Sequence, residues 1–148
     1  MARRSLEPSR DVADYTFTHR LRTRFAETDA MGIIHHAAYL PYLEEARVEY
    51  LRAIGHPYDS VRAGEPRDAR EFPVLEVSVE FRQALRFDDE VDVSLRIGAV
   101  RGATFQIAYL LAVGVEPRAT AVTVHGCVDG LGRPARLPAW VAEAAAAR

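Results

Sequence analysis

Lysine is absent from this chain: all nineteen basic residues are arginine. Any phosphate or carboxylate must therefore be held by a guanidinium fork or by backbone N–H groups. Cysteine is nearly absent too. Cys127 stands alone, which excludes an internal disulfide and a cysteine zinc cluster. No apolar run is long enough to span a bilayer, and the N-terminal "MARRSLEPSRDVADY" lacks the apolar core of a secretory signal. The expected compartment is the cytoplasm. A net charge of −2 gives no basic field for nucleic acid or for an anionic membrane surface. G-x-S-x-G, the elbow of serine hydrolases, does not occur.

What is present suits one domain of 148 residues, long enough to bury its own core. Residues 1–13 read as a flexible polar tail and 14–148 as the domain. "YTFTHRLRTRF" alternates, with Tyr15, Phe17, Leu21 and Phe25 on one face and His19 among them; this predicts a half-buried strand. After a loop at 26–37, Leu40, Leu43, Ala46, Tyr50, Leu51 and Ile54 recur at steps of three and four. They predict an amphipathic helix with Pro41 in its first turn and Gly55 as its C-cap. Residues 56–71 read as a connection with a short helix at 58–63.

From Phe72 onward the period is two. Leu75, Val77, Val79 and Phe81 form one set, Val91 to Ile97 a second, Phe105 to Val113 a third, and 119–128 a fourth strand of smaller residues. Turn chemistry at 87–90, 100–103, 115–117 and 129–134 suggests four strands joined by short hairpins. "AEAAAAR" extends a short C-terminal helix. The fold class is α+β, a five-stranded antiparallel sheet wrapped around one long central helix. So small a sheet leaves edges to cover, which favours a homodimer or homotetramer.

The chemistry gathers in "RFAETDAMGIIHHAAYLPYLEEARVEYL". A carboxylate, Asp29, and a glycine, Gly32, precede His35, His36 and the helix. Asp29, Gly32, His36 and Tyr39 stand in the order that resembles the acyl-CoA thioesterases of the 4-hydroxybenzoyl-CoA thioesterase type, which have the hotdog fold. "VEFRQALRFDDEVDV" is similar to a later segment of that family, and the likeness covers roughly residues 15–138. The resemblance implies hydrolysis of an acyl-CoA or acyl-carrier-protein thioester, sites at a subunit interface and no cofactor. In it Asp29 is base or nucleophile, and the N–H or side chain at His36 polarises the carbonyl.

The residues support the same chemistry. Thioester cleavage needs a base or nucleophile beside donors for an oxyanion. Free N–H groups at a helix start are such donors, and Gly32 permits a tight turn before them. Asp29 is equally suited to capping that turn, and His36 to a plain helix-start role. Tyr39 is a substrate-binding candidate. The family likeness points to Arg101, in the "VRGA" hairpin, for the nucleotide phosphates, with Arg82 and Arg86 as second candidates; each also reads as a surface charge. Glu44 matches a family glutamate but reads first as a solvated helix face. His125 reads as structural, His56 as exposed, and Cys127 as core packing. With no third ligand at fixed spacing, Asp29 and His36 make no metal site. The rival readings are a hydratase of the same fold and a non-catalytic acyl-thioester sensor.

Overall fold

Every segment of period two forms a strand. The computed structural model describes residues 3–58 and 64–147. In it β1 (Phe17–Arg22), β2 (Val74–Phe81), β3 (Glu90–Arg101), β4 (Thr104–Val113) and β5 (Glu116–His125) join one antiparallel sheet in the order β1-β3-β4-β5-β2. Helix α1 (Tyr39–Ala53) lies against its inner face, and α2 (Ala139–Ala146) packs beside β3. The short helix expected at 58–63 falls, from residue 59 on, outside the described residues.

One topological expectation is corrected. β3–β4 and β4–β5 are hairpins, but β2 and β3 are not neighbours. Residues 82–89 cross three strand spacings, about 14 Å, to carry the chain from one edge into the sheet. Leu85, fully buried, pins this segment, and the Arg82 and Gln83 N–H groups bond to the Arg118 carbonyl. Alternation tells which residues share a face, not which strands pair. The last hairpin also turns earlier than 115–117, at Gly114 (φ +60°). Glu116 and Pro117 belong to β5, where Pro117 sits beside a register shift that spares the ladder its missing N–H.

β1 is shorter than the alternation suggested. Beyond Arg22 the chain leaves the sheet, and Phe25, 73% exposed, stands on a 3-10 turn against Phe87. His19, read as apolar-facing, reaches the Glu45 carboxylate of α1 at 2.6 Å. The stripe on α1 is as expected at Leu43, Ala46 and Tyr50, with Leu51 and Ile54 packed against the core, and differs in its first turns. Its buried residues are Tyr39, Tyr42, Leu43, Ala46 and Tyr50, while Leu40 is 44% exposed. Spacing allowed both stripes; the tyrosines win because their rings carry more apolar area. Gly55 (φ +85°) ends the helix as expected, its N–H on the Arg52 carbonyl and that of His56 on Leu51.

The expected core faces of β3 and β4 are buried against α1: Val91, Val93, Leu95 and Ile97, then Phe105, Ile107, Tyr109 and Leu111. Ahead of the sheet, residues 3–6 meet β4, where Gln106 accepts from the Ser5 and Leu6 N–H groups and donates to the Arg3 carbonyl.

A polar chain runs through this core. Arg47 Nη1 lies 3.2 Å from the Tyr109 hydroxyl, which lies 2.7 Å from Thr123 Oγ1, itself 2.8 Å from His125 Nε2; His125 Nδ1 is 3.0 Å from the Phe72 carbonyl. Burial pushes the His125 pKa from 6.5 down to about 4, the Phe72 bond opposing and the Arg47 charge assisting, so the ring is neutral near pH 7. With Nδ1–H on the Phe72 carbonyl, neutral Nε2 accepts from Thr123, Thr123 from Tyr109 and Tyr109 from Arg47, and the protons run from Arg47 toward Phe72. Between those values the unfolded chain takes up a proton that the folded one refuses. This contribution is intact above pH 6.5 and is lost as the pH falls toward 4, by about 3 kcal/mol in all. Urea unfolding of the protein should weaken steeply from pH 6.5 to 5, and His125→Gln, less stable at pH 7, should show a flatter profile over that range.

Candidate active site

The loop between β1 and α1 is built around a glutamate that the sequence reading passed over. Glu27, its side chain only 14% exposed, accepts from the Tyr42 hydroxyl (2.6 Å) and the Arg24 N–H (2.7 Å), while its own carbonyl accepts from His35 N–H. Burial raises the Glu27 carboxyl pKa, but the bonds from Tyr42 and Arg24 outweigh it and hold the group below its ordinary value. Burial, and then the bond to Glu27, drive the Tyr42 phenol up. The sequence signal was slight: Glu27 lies three residues beyond Arg24, the spacing at which a glutamate reaches back to a turn's first N–H, but arginine cannot return the cap.

Within this frame the D-x-x-G segment closes on itself. Asp29 N–H donates to the Ile33 carbonyl (2.8 Å), and Gly32 N–H to the Asp29 carbonyl (3.0 Å). Gly32 has φ +79°, a conformation that glycine adopts without strain. Asp29 Oδ1 accepts from Met31 N–H (2.9 Å) and more loosely from Ile33 N–H (3.4 Å). The turn-capping role is thus present, on one carboxylate oxygen; Oδ2 takes no hydrogen bond from the described residues. Ile34, buried, ties the end of the turn to the Leu85 carbonyl.

The helix start differs from the expectation of several free N–H groups. His35 caps it: Nδ1 accepts from Ala37 N–H (3.0 Å) and the carbonyl from Ala38 N–H (2.9 Å). Only the His36 N–H is left without an acceptor among the described residues of this 3-10 turn, His36–Ala38, which leads into α1. The two imidazoles stack at 4.2 Å.

Asp29, His36, Tyr39 and Arg82 line one open cleft of about 230 Å³, together with Phe81 and Gln83. Four of the seven candidate residues meet there, and Gly32 shapes its turn. Tyr39 is more deeply set than a substrate contact suggests: it is buried, edge-on to Phe81 at 4.9 Å, with its phenol raised by burial and opposed by a backbone bond with Leu85. Arg82 lies 3.6 Å from the Glu80 carboxylate. Arg86 is exposed outside the cleft. Arg101 closes the far end of β3; twelve strand residues put it roughly 36 Å from Glu90, and so outside the cleft of its own protomer.

The structure contains an internal control. Residues 129–134, read only as turn chemistry, repeat the pattern: Asp129 and Gly132 (φ +80°) make the same backbone bonds (2.8 and 3.0 Å), and Asp129 Oδ1 accepts from Leu131 and Arg133 N–H. Those N–H groups hold the Asp129 carboxyl below its usual range. No helix begins at this second turn; α2 starts only at Ala139. D-x-x-G alone therefore encodes a turn. What sets Asp29 apart is the unpaired N–H and the cleft beside it.

The model of the thioesterase-like superfamily matches residues 23–145. An acyl-CoA thioesterase, YbgC, of Haemophilus influenzae is 29% identical over 86% of this chain and 92% of its own. A 1,4-dihydroxy-2-naphthoyl-CoA hydrolase of Synechococcus elongatus is 27% identical over 88% and 96%. The crystal structure of an Aquifex aeolicus protein superposes with a TM-score of 0.79 at 35% identity, over 87% of this chain and 98% of that one.

Proposed function

This chain belongs to the thioesterase-like superfamily, with its hotdog fold, and on that premise we propose that it hydrolyses an acyl-CoA thioester at the Asp29 cleft. The observation that carries this reading is that Asp29, with one carboxylate oxygen unengaged, and His36, with its N–H unengaged among the described residues, line one cleft; the second D-x-x-G turn has no helix start beside it. Kinship with acyl-CoA hydrolases supports the substrate class.

In the proposed reaction the turn donors hold Asp29 by Oδ1 and orient Oδ2. Asp29 takes a proton from water as the water oxygen joins the thioester carbon. The charge that builds on the carbonyl oxygen is met by the His36 N–H at the positive end of α1. The C–S bond then breaks, and the thiolate leaves and takes up the proton. Attack by Asp29 itself, through a mixed anhydride, uses the same atoms. The His36 ring, on the cleft, helps to position the water.

The two turns supply the test. Asp29→Asn and Asp129→Asn each keep an oxygen to cap the turn, so both variants should fold with similar stability. Asp29→Asn should lower kcat by on the order of 10²–10⁴ with KM little changed, and Asp129→Asn should leave both constants near wild type. Near-normal kcat in folded Asp29→Asn would make that turn structural too.

Arg82 stands on the cleft as a phosphate contact. Arg82→Ala should raise KM for acyl-CoA several-fold without lowering kcat, and leave an acyl-pantetheine substrate unaffected. Equal damage on both substrates would remove Arg82 from nucleotide binding. Arg101 lies too far to serve its own cleft, so a part for it requires a second protomer.

The exposed apolar residues of β2 argue for that second protomer. Leu75, Val77 and Phe81 are exposed on a strand whose outer edge has no partner strand among the described residues, and Phe81 also lines the cleft. A homo-oligomer joined along β2 covers them and brings the site to a subunit boundary. Sedimentation at micromolar concentration should show a dimer or tetramer, and Val77→Glu should shift it toward monomer. A fully active monomer would reject the arrangement.

A further inference from the structure

A second cavity, of about 490 Å³, lies between the C-terminal half of α1 and the sheet, and shares no lining residue with the Asp29 cleft. Its walls are apolar and largely aromatic: Tyr50, Phe72, Ile97, Phe105, Ile107 and Trp140. Phe72 sits edge-on to both Phe105 (5.3 Å) and Trp140 (5.8 Å), and His56, expected in solvent, stacks on Trp140 at 4.4 Å. The packing that shapes the space is therefore built from locked rings.

One charged group faces this apolar space from within the wall. Arg47 lines the cavity half-buried, and its one hydrogen bond among the described residues is to the Tyr109 hydroxyl. No carboxylate of the described residues lies within ion-pair distance of it. Glu44, also on the lining, is exposed and does not pair with it. The direction of the polar chain matters here. Tyr109, Thr123 and His125 pass their protons away from Arg47, so the chain offers Arg47 no negative charge. His125 stays neutral and stacks on Phe105 at 5.0 Å. A half-buried guanidinium with donors to spare, beside an apolar space, is placed to receive a carboxylate.

We propose that this cavity binds an amphipathic organic acid, its carboxylate on Arg47 and its apolar body among Phe72, Phe105 and Trp140. Guanidinium pairs with carboxylate through two parallel bonds, and the volume is that of a small-molecule site. The site stands apart from the hydrolase reading: its ligand carries no thioester, and its failure to bind would leave the Asp29 tests untouched.

Trp140 is the only tryptophan, so its emission reports on this wall. Hydrocinnamate should bind saturably, read by Trp140 fluorescence and by calorimetry. Its neutral counterpart, hydrocinnamamide, should bind at least about tenfold more weakly. Arg47→Gln, which keeps a donor for Tyr109, should weaken the acid about tenfold and leave the amide unchanged, with the fold verified by circular dichroism. Arg47→Met, tested alongside, should do the same. Absence of saturable binding to the wild type, equal affinity for acid and amide, or undiminished acid binding by either folded variant would overturn the proposal.

Discussion

The burial of the tyrosine-rich face of α1 against the inner face of the sheet holds this molecule together. Ala46, fully buried at the middle of that face, lets the helix approach the sheet closely, while Tyr42, Leu43 and Tyr50 fill the space on either side. Each large side chain withdrawn from water contributes about 1.5–3 kcal/mol. Because the helix is seated along its whole length, both of its ends are fixed relative to the sheet. The N-terminal end meets the Asp29 turn; the C-terminal half roofs the aromatic cavity. Tyr42 serves both packing and site, since its ring is core and its hydroxyl holds Glu27.

The active-site candidate is a product of context more than of motif. Two D-x-x-G turns in one chain share their backbone bonds, their left-handed glycine and their carboxylate cap. Only one opens onto a helix start with an unspent N–H. His35 refines that start further by occupying the neighbouring donors, so one donor remains where several were expected. Chemistry here arises where a common turn is placed against a helix end that packing has already positioned.

The buried polar chain from Arg47 to Phe72 shows the same economy. Each member is satisfied in one direction only, which fixes the tautomer of His125 and spends the polar groups of the sheet interior. The guanidinium at its head is the exception, and it borders the cavity.

The alternation of apolar residues determined the strands, the three-and-four spacing determined α1, and Gly55 determined where α1 stops, because these depend on periods and dihedrals that neighbouring residues set among themselves. Asp29, Gly32 and His36 were readable for the same reason: they lie within eight residues of one another. The strand order, the separation of β2 from β3, the place of Tyr39 and Tyr42 in the first turns of the α1 stripe, the hub at Glu27, the cap at His35 and the chain from Arg47 to His125 were decided only by the tertiary structure. Each of these depends on which distant surface a residue meets, and that is settled by how much apolar area the whole chain can bury at once, a quantity no local period contains.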